Sequence, residues 1–218
     1  MARISTVLRR SSKALKDCNL HKVLQSEIQH ELSSHLYQHV QSGSLGDFSL
    51  EWDSTRSQDV VLRRKSVSGE EVAVSALLGP AIYRQEGILP REVLMKVCIR
   101  KPRLSSLLQF DCGVYNKGDG RSDFDIRKAF YLQVSTSLDP SVYRGPLFSD
   151  LDPSLQDALK EYLFAKGVGE YLTNFLLAHL HKKEQDQYVN WLQKLNAMVT
   201  DGEDIQQAAS ATAGVSDI

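Results

Sequence analysis

The sequence predicts an α+β fold in which one helix precedes an antiparallel sheet and two helices follow it. Three observations predict this order. Apolar residues recur at helical spacing over residues 18–42, the period changes to two over residues 47–134, and the helical period returns after residue 150. Because no helical segment separates the strands, parallel β-α-β units are not expected. A chain of 218 residues is long enough to form one domain with a substantial core.

The first helix, predicted over residues 18–42, carries an apolar stripe that repeats every four residues. A helix turns by about 100° per residue, so each four-residue step drifts by about 40° and the stripe winds around the helix. A single sheet cannot cover such a stripe, and we expect part of it to contact something else. The stripe consists of Leu20, Leu24, Ile28, Leu32, Leu36 and Val40, with Val23 beside it.

Six segments between residues 47 and 134 are predicted to be strands, and five of them alternate regularly. Turns such as Ser68-Gly69 and the stretch 117–120 separate neighbouring strands, and residues 79–90 form the longest connection. One apolar and one polar face per strand is typical of an antiparallel sheet. The strand at 59–66 is less regular. The other five strands are expected to bury Phe48, Leu50 and Trp52; Val72, Val74, Ala76 and Leu78; Val93, Met95, Val97 and Ile99; Ser106, Leu108, Phe110, Cys112 and Val114; and Phe124, Ile126, Phe130 and Leu132.

Two helices are predicted after residue 150. Asp152-Pro153 supplies an N-cap followed by proline at the first helical position, and Gly167 is expected to end that helix. The second helix is predicted over residues 169–199, with two apolar halves separated by the polar stretch 181–187. Residues 201–218 are small and polar without periodicity, and we predict a disordered tail there.

Charge is distributed unevenly along the chain. The formal net charge is −1, and residues 1–16 carry five basic residues and no acid, so residues 17–218 sum to −1 − 5 = −6. The Arg-rich, Ser-rich and acid-free N-terminus has the composition of a mitochondrial transit peptide, although it could also be a basic first turn of the next helix. The acidic remainder argues against generic attraction to phosphate backbones.

Cysteine usage and hydropathy indicate the kind of compartment. Cys18, Cys98 and Cys112 are odd in number and have no paired spacing, which favours reduced thiols inside a cell. No apolar run approaches the roughly 18 residues that a membrane-spanning helix needs. We therefore expect a soluble protein with no membrane insertion.

Residues 119–125 resemble a calcium loop because acids recur at every second position. Arg121 nevertheless stands where a ligand belongs, and the twelfth position holds Phe130 rather than a carboxylate. A hairpin turn is the better interpretation.

Other candidates for chemistry also have structural explanations. Glu31, His35 and His39 are four residues apart, a spacing that can hold a metal, but no further ligands are evident. Cys112 lies on the apolar face of its strand and is predicted to be buried rather than nucleophilic. Motifs for phosphate, dinucleotide or metalloprotease chemistry are absent from the sequence. We expect no catalytic residue, cofactor or metal, and no enzymatic activity.

Two basic clusters, Arg63-Arg64-Lys65 and Arg100-Lys101-x-Arg103, fall at strand ends. Such clusters can contact phosphate or an acidic partner, or can simply be solvated. RNA binding through them is the alternative function. It predicts salt-dependent RNA binding that is lost when Arg63, Arg64 and Arg103 are replaced.

Residues 143–199 resemble the closing helical pair of the mitochondrial acidic matrix protein family, also called the mitochondrial glycoprotein family. The matching features are Tyr143-x-Gly145-Pro146, Tyr162-Leu163 followed by Gly167, and Tyr188-Val189-x-Trp191-Leu192-x-Lys194-Leu195. The resemblance extends over about residues 18–199 and is closest to plant-type members. The animal member of the family was described as a receptor for complement globular heads.

The resemblance implies a twisted antiparallel sheet of about seven strands with one N-terminal and two C-terminal helices. It implies that the first helix pairs with the last and that three subunits form a ring with an acidic face. It further implies a protein of the mitochondrial matrix that binds many partners, without an accepted active site. Members are similar in being linked to mitochondrial translation, ribosome assembly and oxidative phosphorylation.

The sequence thus predicts a transit segment at 1–16, a single domain at 17–200, a tail at 201–218 and assembly into a homotrimer. Expected partners are other mitochondrial proteins, including ribosomal or RNA-associated ones. Substitution of Leu195 by aspartate is expected to dissociate or unfold the oligomer, whereas Lys183→Asp is expected to do neither. The residues predicted at the oligomer interface are Leu24, Ile28, Trp191, Leu192 and Leu195.

Overall fold

The computed structural model describes residues 19–33, 45–84, 87–89, 91–118, 120–133 and 143–212. These residues divide into two compact units, where the sequence predicted one domain over 17–200. The sheet unit contains the described residues from 45 to 184, and the helix-pair unit contains residues 19–33 and those from 185 onward. The predicted transit segment 1–16 lies outside the described residues, as do residues 34–42 of the predicted first helix.

Helix α1 covers residues 19–33. The strands are β1 (Ser49–Asp53), β2 (Asp59–Lys65), β3 (Glu71–Leu78), β4 (Ile82–Arg84), β5 (Gly87–Leu89), β6 (Val93–Arg100), β7 (Ser106–Gly118) and β8 (Arg121–Gln133). A short 3-10 helix at Phe148–Asp150 precedes α2 (Pro153–Ala165) and α3 (Glu170–Thr212).

Six strands form one antiparallel sheet in the order β1-β2-β3-β6-β7-β8. Each corresponds to one of the six predicted strands, so the α+β fold class is confirmed. The remaining strands, β4 and β5, form a separate hairpin within the segment predicted as a loop. A seventh strand in the sheet, which the family resemblance implied, is not found in the described part of the chain.

The core of the sheet unit lies between one face of the sheet and the helices that follow it. Val74, Val97 and Phe110 from neighbouring strands are almost fully buried. They share one hydrophobic cluster with residues of α2 and of the first half of α3. The opposite sheet face, which we call the outer face, carries the alternate residues of each strand. The helical members of the cluster are Leu163, Leu172, Phe175, Leu176 and Leu180.

The predicted apolar face of β1 is wrong. Phe48 just before the strand is buried, but Leu50 is 43% exposed and Trp52 is 53% exposed. Strand β1 is an edge strand, and its pairing with β2 shifts register between these two residues. The shift is consistent with a bulge, and bulges disrupt pairing most often at sheet edges.

The predicted face of Phe130 and Leu132 is also wrong, although Leu132 is buried as expected, at 8% exposed. The pairing of β8 with β7 shifts register between Ile126 and Lys128, which leaves Arg127 as an extra residue. One extra residue reverses the alternation for the rest of a strand. Phe130 and Leu132 therefore lie on the outer face, where they pair with outer-face residues of β7.

Capping residues determine both ends of α2, as predicted. The Asp152 carboxylate accepts a hydrogen bond from the Ser154 N–H at 2.9 Å, and Pro153 is the first helical residue. At the other end the Val168 N–H donates to the Leu163 carbonyl at 3.0 Å. Gly167, which precedes Val168, adopts a φ of +83°. This is the Schellman arrangement, which strongly favours glycine at the left-handed position.

Replacing Gly167 with alanine is expected to lower the free energy of unfolding by about 1–2 kcal/mol, because a Cβ is strained at positive φ. That Cβ would also lie 3.0 Å from Nη1 of Arg64 and 3.3 Å from Cε2 of Phe48. Gly169→Ala is the matched control, since its Cβ would meet nothing closer than Phe164 at 3.6 Å. Urea unfolding followed by circular dichroism measures the stability of both variants. Equal stabilities of Gly167→Ala and Gly169→Ala would contradict the Schellman arrangement at Gly167.

Helix α3 is longer than predicted. Its backbone continues to Thr212, whereas the sequence placed its end near residue 199 and a disordered tail from 201. Extending an existing helix requires no new nucleus, so a polar segment without apolar periodicity can continue it. Residues 213–218 of the predicted tail lie outside the described residues. Within the described part of the chain, no helix combines the length and hydropathy needed to cross a membrane.

Candidate interaction surfaces

The strand register brings the two basic clusters together. Lys65 at the end of β2 pairs with Glu71 at the start of β3, and Glu71 pairs in turn with Arg100 at the end of β6. Residues that are far apart in the sequence therefore meet at one end of the sheet, which we call the basic end. It comprises Arg63, Arg64, Lys65, Arg100, Lys101 and Arg103.

Glu71 is the centre of the ion pairs at the basic end. Its carboxylate lies 2.7 Å from the Arg100 guanidinium, 3.0 Å from the Lys65 ammonium and 3.6 Å from the Arg63 guanidinium. The Arg63 Nε also donates to Glu51 at 2.7 Å. The hydrogen bond from Lys65, with that from Arg100, lowers the pKa of Glu71 against the opposing effect of desolvation. Glu71 is therefore held as a carboxylate.

Arg64 faces the helix side of the sheet rather than the outer face. Its Nη1 donates to the Lys166 carbonyl at the end of α2 at 2.7 Å, and its Nη2 lies 3.7 Å from Asp47. The Lys166 ammonium itself binds Glu70 at 2.7 Å. A cation at a helix C-terminus satisfies free carbonyls and the helix dipole. Arg64 thus stabilises the α2 end, which weakens the RNA-binding alternative that named it.

A depression of about 230 Å³ lies on the outer face beside these ion pairs. We call it the outer groove. Its rim carries charged groups and its floor carries small or apolar side chains. Desolvation raises the pKa of the Cys98 thiol, which keeps it protonated and apolar in character. The lining residues are Arg63, Glu71, Ala73, Cys98, Arg100 and Leu107.

In the helix-pair unit, α1 packs antiparallel to the second part of α3. His21 near the start of α1 hydrogen-bonds Asn196 at 2.8 Å, while the Tyr188 hydroxyl donates to Glu27 at 3.2 Å. The family resemblance implied this pairing of the first and last helices. The apolar contacts between the two helices involve Leu24, Ile28 and Leu192, with Tyr188, Leu195 and Val199 packed around them.

The five residues predicted at an oligomer interface fall into two groups. Leu24, Ile28 and Leu192 are buried against one another within a single chain, and Leu195 packs beside them half-buried. These residues hold the helix pair together. Trp191 is 56% exposed and stacks on Tyr188 with ring centroids 6.0 Å apart. Contact of any of them with another subunit stays a prediction.

Apolar side chains remain exposed on both helices of the pair. On α3, Trp191 and Met198 are seven residues apart and share one face. On α1, Leu20 and Val23 are three residues apart and also share a face, and Leu32 is exposed further along. Among the described residues the winding stripe on α1 is therefore only partly covered, as its four-residue spacing predicted.

The loop that resembled a calcium site is the turn of the β7–β8 hairpin. The Asp123 carboxylate lies 2.5 Å from the Lys117 ammonium and 3.2 Å from the Lys160 ammonium. Desolvation raises the pKa of Asp123, but hydrogen bonds from Lys117, the Phe124 backbone and Lys160 outweigh it and lower that pKa overall. No potential metal-binding cluster occurs among the described residues. His35 and His39 lie outside them.

Cys112 is a buried structural residue, as predicted from its strand position. It is 3% exposed, and burial raises the pKa of its thiol to about 12. The thiol is therefore protonated at physiological pH and is a poor nucleophile.

Sequence reasoning missed a buried lysine and its ion pair in the sheet unit. The Lys183 ammonium, 9% exposed, lies 2.5 Å from Asp53 and donates to the Asp59 carbonyl at 2.8 Å. His179 Nε2 lies 2.8 Å from the other oxygen of Asp53. These contacts argue against the expectation that Lys183→Asp would leave the protein folded, and they predict that it destabilises the sheet unit. The missed signal is that Lys183 continues the buried helical stripe of Leu176 and Leu180, despite its polar neighbours.

The fold and these surfaces define an α+β protein with a six-stranded antiparallel sheet and a separate helix pair. The model of the family described as "Mitochondrial glycoprotein" (MAM33) matches residues 90–199, which is half of the chain. The chain belongs to this family.

Known proteins resemble this chain in sequence or in fold. It is 40% identical over 53 residues to "Mitochondrial acidic protein mam33" of Schizosaccharomyces pombe; this covers 24% of the chain and 20% of that relative. The match thus spans about a fifth of the relative's length. The p22 protein of Trypanosoma brucei has a similar fold, with a TM-score of 0.64 and 20% identity over 85% of this chain and 99% of that one. A Leishmania major protein, described as a sequence homologue of human p32, also has a similar fold. Its TM-score is 0.63 and its sequence identity 17%, over 84% of this chain and 99% of that one.

Proposed function

We propose that this chain is a non-enzymatic binding protein of the mitochondrial matrix. Its chaperone-like role would support mitochondrial translation, ribosome assembly or oxidative phosphorylation. The observation that carries the proposal is the uncovered apolar surface of the helix pair, which suits contact with other proteins. Membership of the mitochondrial glycoprotein family supports the compartment, as does the name of the fission-yeast relative.

The proposal of a non-enzymatic role is supported by the way the chain uses its reactive groups. The charged residues at the basic end hold strands and a helix end together through ion pairs. The thiols of Cys98 and Cys112 are held protonated by burial. Groups committed to structure in this manner suit a binding protein better than a catalyst.

We further propose that the chain assembles as a homotrimer through the helix-pair unit. Fully burying one large apolar side chain contributes roughly 1.5–3 kcal/mol, so covering Trp191, Met198, Leu20 and Val23 would favour association strongly. An aromatic residue such as Trp191 is also a common anchor at protein interfaces. Trp191 is therefore the residue expected to contribute most.

The function is tested in cells that lack the protein, by the incorporation of labelled methionine into mitochondrially encoded proteins. We expect this incorporation to fall by more than half, and the wild-type chain to restore it. The Trp191→Asp variant should fail to restore it because the exposed aromatic anchor is replaced by a charge. Gln193→Asp, at an exposed position on the same helix, is the matched control and should restore it. Unchanged mitochondrial protein synthesis and respiration in the depleted cells would contradict the proposal.

A further inference from the structure

We infer that the outer groove binds an extended acidic segment of a partner protein. A carboxylate of that segment would lie against Arg63 and Arg100, and a neighbouring apolar side chain would lie on the groove floor. The inference rests on the proposed role as a protein-binding protein and names the chemistry of one partner.

The charge at the groove favours an anionic ligand, although the rest of the chain is acidic. Its surroundings carry five cations, Arg63, Lys65, Arg100, Lys101 and Arg103, and two carboxylates, Glu51 and Glu71. The local formal charge is therefore 5 − 2 = +3, whereas residues 17–218 sum to −6. The local positive charge attracts an anionic ligand to this end of the sheet. The negative charge of the remaining surface disfavours binding of an acidic segment elsewhere.

The geometry of the cations suits a carboxylate in particular. Three of them converge on Glu71 within 3.6 Å, which shows that their side chains can surround one carboxylate at this place. Arg100 uses Nη2 for this contact and its side chain is 61% exposed, so the guanidinium extends toward solvent at the rim. An arginine fork binds carboxylates in two parallel hydrogen bonds, which gives directional recognition.

The floor of the groove favours a peptide over RNA. Ala73, Cys98 and Leu107 are half-buried and present carbon and a protonated thiol. An apolar side chain next to an acidic one would bury surface there, whereas RNA bases bind best on aromatic side chains, which the groove lining lacks. The acidic remainder of the chain also repels a long polyanion more strongly than a short acidic segment.

Glu71 occupies the position that the incoming carboxylate would approach, so it competes with the ligand. Removing its charge with Glu71→Gln keeps the shape of the side chain and releases three cations. This variant should bind an acidic segment more tightly. A gain of affinity cannot result from damaged folding, which makes the substitution a sharp test.

The experiment measures fluorescence anisotropy of a labelled peptide in which glutamate and leucine alternate, titrated with the full chain at physiological ionic strength. The same peptide with lysine in place of glutamate, and a single-stranded RNA oligonucleotide, serve as comparison ligands. The variants are Arg100→Ala in the groove, Glu71→Gln, and Lys101→Ala as the control. Lys101→Ala removes the same charge from the neighbouring exposed residue outside the groove.

We expect the acidic peptide to bind, Arg100→Ala to weaken it about tenfold or more, and Glu71→Gln to tighten it roughly threefold. Lys101→Ala should change the affinity by less than about twofold. Equal losses in Arg100→Ala and Lys101→Ala would indicate generic attraction and overturn the inference. Tighter binding of the RNA, or no binding of the peptide, would also overturn it. Failure of this experiment alongside impaired mitochondrial protein synthesis in depleted cells would leave the proposed function standing.

Discussion

Replacing Lys183 with aspartate is expected to destabilise the sheet unit by about 1–3 kcal/mol, because it removes a buried ammonium that pairs with Asp53 and donates to a backbone carbonyl. The substitution places a second carboxylate beside Asp53, which the Lys183 ammonium now contacts at 2.5 Å. It also leaves the Asp59 carbonyl without the donor it has at 2.8 Å.

Urea unfolding followed by circular dichroism measures the loss. Lys182→Asp is the control, since that neighbouring lysine is exposed and should change stability by no more than about 0.5 kcal/mol. A Lys183→Asp variant as stable as Lys182→Asp would contradict the structural role of the buried Lys183.

The same pair predicts the direction of the acid response. Burial raises the pKa of Asp53, but hydrogen bonds and charge from Lys183 and His179 outweigh it and bring the pKa below its ordinary value of 3.8. A carboxylate with a lowered pKa in the folded state stabilises the fold above its ordinary pKa, and this contribution is lost as pH falls through the lower value. The stability difference between wild type and Asp53→Asn should therefore persist at pH 5 and shrink below about pH 4.

Replacing Leu192 with aspartate is expected to separate the helix pair. The side chain is 3% exposed and packs with Leu24 and Ile28. The substitution loses roughly 1.5–3 kcal/mol of apolar burial. It also places an unpaired carboxylate in the contact, which costs more. The sheet core is a separate hydrophobic cluster and should keep its stability.

Hydrogen–deuterium exchange shows where the Leu192→Asp variant opens. Residues 19–33 should lose protection, while the strands of the sheet should retain it. Gln193→Asp is the control, because this neighbouring side chain is exposed, and protection of residues 19–33 should be unchanged. Loss of protection in both variants, or in neither, would contradict the assignment of Leu192 to the helix pair.

The six-stranded sheet could be predicted because its strands have one buried and one wet face, so their sequences alternate. The ends of α2 were also predictable, since Asp152, Pro153 and Gly167 are local capping signals. The errors lie where tertiary pairing overrides the local pattern. A bulge at Arg127 turned Phe130 to the outer face, and the edge position of β1 left Trp52 exposed.

The candidate surfaces were predictable only in part. The two basic clusters are visible in the sequence, but their meeting at Glu71 depends on the register of β2, β3 and β6. Apolar periodicity identified Leu24 and Leu192 as contact residues without showing that they contact each other within one chain. Lys183 was misplaced because its polar neighbours in the sequence conceal its position on the buried side of α3.

The proposal of a self-assembling mitochondrial binding protein is tested most directly by the mass of the purified chain in solution. Light scattering after size exclusion should give three times the chain mass of 24.5 kDa for the wild type and for Gln193→Asp. Trp191→Asp should give a single chain that retains the folded circular dichroism spectrum. A wild-type mass of one chain would contradict the homotrimer and the interaction surface proposed around Trp191.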